Sequence, residues 1–145
     1  DFDRENLSKH FEIRTYKDIE NLEKCEYVSD ELLPFPLAPK LVENDFPALG
    51  DMFGEDIYDE IRKKEKTEGI DYYEDICVGD ENYMVHKIGG YPTTIQDGIG
   101  FSEGYEFVMQ ITSDEKAEFN IIHNGNFYFG FNAELEKWEV RCDFY

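Results

Sequence analysis

The side chains best suited to chemistry in this 145-residue chain are three histidines and three cysteines. Histidine acts as an acid, a base or a metal ligand near neutral pH, and cysteine acts as a nucleophile when a base is positioned beside it. The six residues are His10, His86, His123, Cys25, Cys77 and Cys142. They show neither the spacing of a zinc site nor a Cys-x-x-Cys pair. We therefore expect no metal, no cofactor and no catalytic residue, with an enzyme that uses His86 as an alternative.

The cysteines also indicate a compartment. They are odd in number and far apart in the sequence, which does not fit a disulfide framework. We expect each of them to be a small buried hydrophobic residue in a reducing, cytoplasmic environment.

The stretch with the most definite local geometry runs over residues 84–96, here called the signature segment. Gly89 and Gly90 stop a short apolar run, and we expect at least one of them at positive φ. Pro92 fixes its own φ and favours an extended Tyr91. The result is a stiff turn that carries one aromatic ring, with the amide of Gln96 nearby.

Four residues are the candidate binding residues of this chain: His86, Tyr91, Gln96 and His123. A ring held on a stiff turn suits recognition because little entropy is lost on binding. The structural alternative is that Tyr91 closes the core and that each histidine fixes a turn. The two histidines flank predicted strand ends, so the fold is able to bring them together.

The elements that position these residues are mostly strands in the last third of the chain. Apolar and aromatic runs predict strands at Tyr105–Ile111, Phe119–Ile122 and Phe127–Phe131, and a further strand is predicted at Trp138–Asp143. Asn124-Gly125 predicts a hairpin turn between the second and third of these. In the last strand, apolar and charged residues alternate, which predicts one solvent-facing side. A short helix is predicted at Ala133–Lys137.

One main helix is predicted over Phe46–Lys66. Its apolar residues recur every four positions at Leu49, Phe53, Ile57 and Ile61. We expect this stripe to be buried and Gly69 to end the helix. The predicted fold class is α+β, a largely antiparallel sheet with one main packed helix.

Two further expectations concern the first half of the chain. Asp18 is a plausible N-cap of a short helix that ends near Lys24. The four prolines between Leu32 and Pro47 exclude a long helix, and the apolar residues between them favour a buried, extended wrapping segment.

Three blocks of this chain resemble a known family. The segment His86-Lys87-Ile88-Gly89-Gly90-Tyr91-Pro92 with Gln96 is similar to the His-x-Ile-Gly-Gly-Tyr-Pro-x-x-x-Gln signature of the YwqG-like proteins, a largely bacterial family of unknown function. Phe107–Asp114 and Gly125–Phe129 resemble two further blocks of that family, and Trp138–Tyr145 resembles its closing strand. Residues 84–145 match in order, and residues 1–83 match only loosely.

The resemblance implies a mixed, strand-rich architecture and no established reaction. One departure is visible, because the family usually has Trp-Gly-Asp where this chain has Ile121-Ile122-His123. A role carried by that aspartate is therefore in doubt here. The resemblance also offers an antitoxin-like or immunity-like role, in which an acidic domain caps a basic effector.

The charge bounds the choice of partner. The chain has 34 Asp and Glu against 14 Lys and Arg, a net charge of −20, and both halves share the excess. Such a field repels nucleic acids and anionic membranes and attracts basic proteins. We expect one domain, beginning with Asp1 as part of a longer protein, whose oligomeric state the sequence leaves open. The favoured function is a non-enzymatic, acidic protein-binding module, with a small-ligand binder or an enzyme at the His86/Tyr91 turn as alternatives.

Overall fold

One main helix precedes four strands along the chain in a computed structural model that describes residues 4–23, 34–43, 45–47, 55–76, 85–96 and 100–145. The strands are β1 (Lys87–Ile88), β2 (Glu106–Thr112), β3 (Asn126–Asn132) and β4 (Lys137–Asp143). The main helix is α1 (Glu55–Glu68), followed by a π-helical turn at Tyr72–Ile76. Short 3-10 helices lie at Arg4–His10 and Glu115–Ala117. The α+β class is confirmed.

The four strands form one antiparallel sheet in the order β1-β2-β3-β4. β3 is central to the long part of the sheet, because Tyr128 pairs with Gln110 of β2 on one side and with Arg141 of β4 on the other. The register of β2 shifts between Phe107 and Met109, the mark of a β-bulge. β1 continues the same row, with Lys87 opposite Gln110.

The apolar face of the sheet is covered by the beginning of the chain. Leu7 of the first 3-10 helix is buried with Phe129 and Val140. The Phe11 ring meets the Phe127 and Phe129 rings edge-on at 5.0 and 5.6 Å. A period of two places Phe127 and Phe129 on one face of β3, and their shared contact with Phe11 shows that this is the packed face.

The opposite face of the sheet is polar and yet buried. Gln110, Thr112, Asn126, Tyr128 and Asp143 are each at most 5 % exposed. Strand β4 alternates as predicted, but its charged side is exposed only at Lys137, since Glu139 and Arg141 are half-buried and Asp143 is buried. A polar face is buried at low cost only when its groups are hydrogen-bonded.

The predicted main helix is shorter and more exposed than its pattern indicates. Phe46 and Pro47 are not helical, α1 begins at Glu55, and Gly69 ends it at φ +67° as predicted. Ile57 is 49 % exposed, so the expected burial of the whole apolar stripe is wrong at that position. Leu49 and Phe53 lie outside the described residues.

The described part of the proline-rich segment has neither helix nor strand and is buried only at Pro47, and Leu32 and Leu33 lie outside the described residues. Every residue from Pro34 to Glu43 is exposed, and Leu41 is 86 % exposed. The wrapping interpretation failed because a pattern of apolar residues predicts contact only where another surface is available to cover it. Near Asp18 the predicted helix is only a turn, in which Asp18 Oδ1 accepts the Glu20 amide at 2.9 Å.

Two predictions fail beside β3. Phe119–Ile122 is not a strand, since Phe119 makes one isolated bridge with Asp114 and Ile122 begins a turn. The residues after β3, Ala133 to Glu136, form a turn to β4 and not the predicted short helix. Both segments are only four or five residues long, so a local pattern cannot separate a turn from a regular element.

Candidate functional site

The second half of the signature segment, residues 91–96, lies across the polar face of the sheet and is here called the strap. Its backbone bonds to side chains of three strands. Thr93 N donates to Gln110 Oε1 at 2.8 Å, and Ile95 N and Gln96 N donate to Asp143 Oδ2 at 2.6 and 3.1 Å. Buried backbone groups need partners, and here the side chains of the sheet supply them. This is the reason for the buried polar face.

The Tyr128 hydroxyl is the centre of this network and is fully buried. It lies 2.7 Å from the Thr93 carbonyl oxygen and 2.7 Å from Asp143 Oδ1, and its hydrogen is shared between these two acceptors. Asn126 Nδ2 donates to the hydroxyl oxygen at 2.9 Å. Three elements therefore meet at one oxygen: the strap, β3 and β4.

The Gly89-Gly90 turn forms a seat for a carboxylate. Both glycines are left-handed, at φ +73° and +70°, as expected. Tyr91 N donates to Asp45 Oδ2 at 2.7 Å, and Lys87 Nζ donates to both Asp45 oxygens at 3.1 and 3.2 Å. A Cβ on Gly90 would lie 2.1 Å from Asp45 Oδ2, so only glycine leaves room for this carboxylate.

Two of the predicted site residues in the signature segment have mainly structural contacts. The amide of Gln96 donates to the Phe144 carbonyl and so ties the strap to the end of β4. Tyr91 is held through its backbone, since Lys87 Nζ donates to its carbonyl at 2.9 Å, and its ring stays 39 % exposed. Tyr91 therefore does not close the core.

His86 directly precedes β1 and is hydrogen-bonded to the neighbouring strand β2. Its Nδ1 accepts the Thr112 amide at 3.2 Å, which leaves the ring hydrogen on Nε2. Nε2 lies 3.7 Å from Asp114 Oδ2, and both side chains are partly exposed. A histidine–aspartate pair is able to move a proton, but the adjacent Ser113 hydroxyl already bonds to the Ile121 amide and the Gly125 carbonyl.

His123 lies on a left-handed turn that runs from Ile122 to Asn124. All three residues have positive φ, from +21° to +59°, and Gly125 N donates to Ile121 O at 2.5 Å to close the turn. L-residues adopt this conformation at a cost. His123 is exposed and makes no hydrogen bond or ion pair with the described residues.

An open depression of about 460 Å³ lies beside this turn. Glu115 and Glu118 line it together with Asn120, Asn124 and the exposed ring of Tyr145. Its lining is acidic and aromatic, and it also includes Ser113, whose hydroxyl donates to the Gly125 carbonyl and accepts the Ile121 amide. Within the described part of the chain, no three His, Cys, Asp or Glu side chains are placed to share a metal ion.

The four predicted site residues do not form one site. His86 is beside Asp114, Tyr91 beside Asp45 and Gln96 beside Phe144, while His123 lies on the separate left-handed turn. No hydrogen bond or ion pair joins the two histidines in the described structure. The expected meeting of His86 and His123 finds no support in these contacts.

The residues that sequence reasoning missed are the partners of the strap and of the glycine turn. They are Asp45, Lys87, Gln110, Asn126, Tyr128 and Asp143. The available signal was the alternation of polar side chains along β2, β3 and β4, of which only the polar side of β4 was interpreted, as solvent-facing. The remaining partner, Asp45, is 42 residues from Lys87 and left no local signal.

None of the described helices combines the length and the apolar character that crossing a membrane requires. No protein-family model, curated protein or solved structure matches this chain.

Proposed function

We propose that this chain is a YwqG-like domain that acts as a non-enzymatic, acidic protein-binding module of the cytoplasm, with basic proteins as its partners. The observation that carries the proposal is the net charge of −20, which runs through the whole chain. A field of this size raises the rate of encounter with a cationic surface and disfavours polyanions.

The contacts of the signature segment support a binding role over catalysis. The amide of Gln96 is used to hold the strap, Nδ1 of His86 is used by β2, and the amide of Tyr91 is used by Asp45. What remains directed outward is acidic surface, including Glu115, Glu118, Glu134 and Glu136, which are all exposed.

The proposal is tested in two steps. First, the immobilised chain captures proteins from lysate at low and high salt, and mass spectrometry identifies those released by salt. We expect the released set to be basic. Second, the association rate of one captured protein is measured over a range of ionic strength. It should fall steeply, because screening shortens the field to about 8 Å at physiological ionic strength.

Two variants with opposite charge changes make the second step specific. The quadruple change Glu115→Gln, Glu118→Gln, Glu134→Gln and Glu136→Gln removes four exposed acids and should slow association. The double change Lys63→Gln and Lys64→Gln removes two exposed bases of α1 and should accelerate it. An association rate that ignores both salt and these changes would overturn the proposal.

A further inference from the structure

Four exposed apolar side chains lie within the nine residues from Pro34 to Val42: Phe35, Leu37, Leu41 and Val42. Exposed apolar residues also occur at positions 16–22 and 85–91, but only the stretch from Pro34 to Val42 holds two prolines at Pro-x-x-Pro spacing. This stretch is here called the proline segment. Phe35, Leu37 and Leu41 are 49, 73 and 86 % exposed, and neighbouring residues are exposed as well. Contiguous exposed apolar residues mark interaction sites more often than chance. Because 33% of the residues in the chain are charged, we expect such an apolar stretch to be covered by a partner.

The sequence fixes the backbone of the proline segment. Pro34, Pro36 and Pro39 each hold φ near about −65°, and the residues before a proline, Phe35 and Ala38, are restricted to extended geometry. Together these restrictions favour polyproline II, a helix with about three residues per turn. Pro36 and Pro39 then lie on the same edge. The structure is consistent with this, since it has neither α-helix nor strand there.

The segment is anchored to the domain at both ends of its exposed run. After it, Asp45 sits in the Gly89-Gly90 turn with Lys87, and the Tyr72 hydroxyl donates to the Pro47 carbonyl at 2.8 Å. Near its start, the Lys116 ammonium lies 5.5 Å from the centre of the Phe35 ring. A segment held in its bound conformation loses less entropy on association.

We propose that the proline segment is a docking element and that its partner is a domain with an aromatic-lined groove that binds polyproline II, rimmed by basic residues. Grooves of this kind take two prolines from one edge of the helix, in the Pro-x-x-Pro spacing that Pro36 and Pro39 have. The basic rim follows from charge, because the acidic residues that flank the segment in the sequence, Asp30, Glu31 and Glu43, outnumber the one base inside it, Lys40. The inference rests on the proposed function and names its partner class.

The experiment is a titration of the ¹⁵N-labelled chain with purified SH3, WW and EVH1 domains, each chosen with a basic rim beside its groove. At least one class should bind saturably, with chemical-shift changes concentrated at the amides of residues 35–43. The double change Pro36→Ala and Pro39→Ala should weaken that binding by about tenfold or more, which corresponds to about 1.4 kcal/mol. Thermal unfolding of the double variant should match the parent, because both residues are exposed.

Leu135→Ala is the matched control, since Leu135 is also apolar, 58 % exposed and lies outside the segment. Its affinity should stay within about twofold of the parent. Asp45→Asn weakens the anchor without changing the prolines, and it should lower the affinity by less than the double change. A graded loss in this order is expected only if the anchored segment is the docking element.

Three results would overturn the inference: no binding by any of the three classes, equal binding by the proline double variant, or shift changes centred elsewhere. Shift changes at residues 35–43 that depend only on the concentration of the chain itself would show a second copy as the occupant, and would also overturn it. Failure of the proposed function is distinguishable. If salt-sensitive capture of basic proteins persists in the proline double variant, the acidic module stands and only the docking element is lost.

Discussion

At the residue scale, one phenol oxygen joins three elements of this protein. The Tyr128 hydroxyl contacts the strap through Thr93, the end of β4 through Asp143 and its own strand through Asn126. A buried acceptor that loses its donor costs the full desolvation of that group. The hydroxyl, more than the ring, therefore decides whether the strap stays on the sheet.

Tyr128→Phe tests this role. The change keeps the ring and deletes the oxygen, so we expect the free energy of unfolding to fall by about 1–3 kcal/mol. Urea denaturation followed by circular dichroism measures it. Tyr145→Phe is the control: that ring is 66 % exposed, and its loss of a hydroxyl should cost within about 0.5 kcal/mol. Equal stability of the two variants would show that the network is dispensable.

The two glycines of the turn differ in one testable respect. Both have positive φ, but a Cβ on Gly89 meets nothing within 4 Å, whereas a Cβ on Gly90 meets the Asp45 carboxylate. Gly89→Ala should cost about 1–2 kcal/mol from backbone strain alone. Gly90→Ala should lower the free energy of unfolding by clearly more than Gly89→Ala, as measured by denaturant melts.

Combining these changes with Asp45→Ala isolates the contact. In the Asp45→Ala background, Gly90→Ala should lower the free energy of unfolding by the same amount as Gly89→Ala, because only the backbone strain remains. If the difference between the two glycines persists in the Asp45→Ala background, the close approach of Asp45 is not its cause.

At the element scale, the sheet is covered by a short helix that sequence periodicity did not reveal. The first 3-10 helix contributes Leu7, which is 2 % exposed, and Ser8, whose Oγ accepts the Val140 amide at 2.9 Å. The longer and more periodic α1 leaves Ile57 half in solvent. Length and regularity thus do not decide which helix builds the core.

Paired alanine substitutions separate these two helices. Leu7→Ala should destabilise the protein by about 2–5 kcal/mol, since it removes a buried side chain from the sheet. Ile57→Ala should change stability by no more than about 0.5 kcal/mol. Chemical denaturation of both variants measures the difference. A larger loss of stability from Ile57→Ala would show that α1 packs in the core.

The left-handed turn before β3 is a second element-scale feature. Ile122 is a β-branched residue at φ +21°, a conformation that glycine adopts without strain. Ile122→Gly should therefore stabilise the fold by about 1 kcal/mol. Ile76→Gly, in the π-helical turn, is the opposite control and should destabilise by about 0.5–1 kcal/mol. If thermal melts show that Ile122→Gly destabilises the fold, the backbone at Ile122 is not strained.

At the scale of the whole molecule, the acidic excess acts on stability as well as on association. Like charges repel in the compact state, and salt screens that repulsion. Added sodium chloride should raise the midpoint of thermal unfolding. The quadruple Glu→Gln variant should begin at a higher midpoint and gain less from salt. A midpoint that falls as salt is added would show that attractive ion pairs, such as Lys87 with Asp45, dominate the charge balance.

The sequence by itself determined three of the strands, the turn and the charge. Apolar and aromatic runs located β2 and β3, and alternation located β4, each to within a residue or two, because strand propensity and a period of two are local properties of the chain. The same reasoning wrongly predicted a strand at Phe119–Ile122. Adjacent glycines before a Tyr-Pro step predicted positive φ, which both Gly89 and Gly90 have. Each of these features depends on neighbours in the chain.

Tertiary structure alone decided what covers each face. Alternation shows that a strand has two sides but not which segment lies on them, so the polar side of β4 was assigned to solvent while the strap in fact buries Asp143. The contacts responsible join residues far apart in sequence: Asp143 bonds to Ile95 across 48 positions, and Asp45 bonds to Tyr91 across 46. Such contacts form only when the whole chain closes on itself, and no local period encodes them.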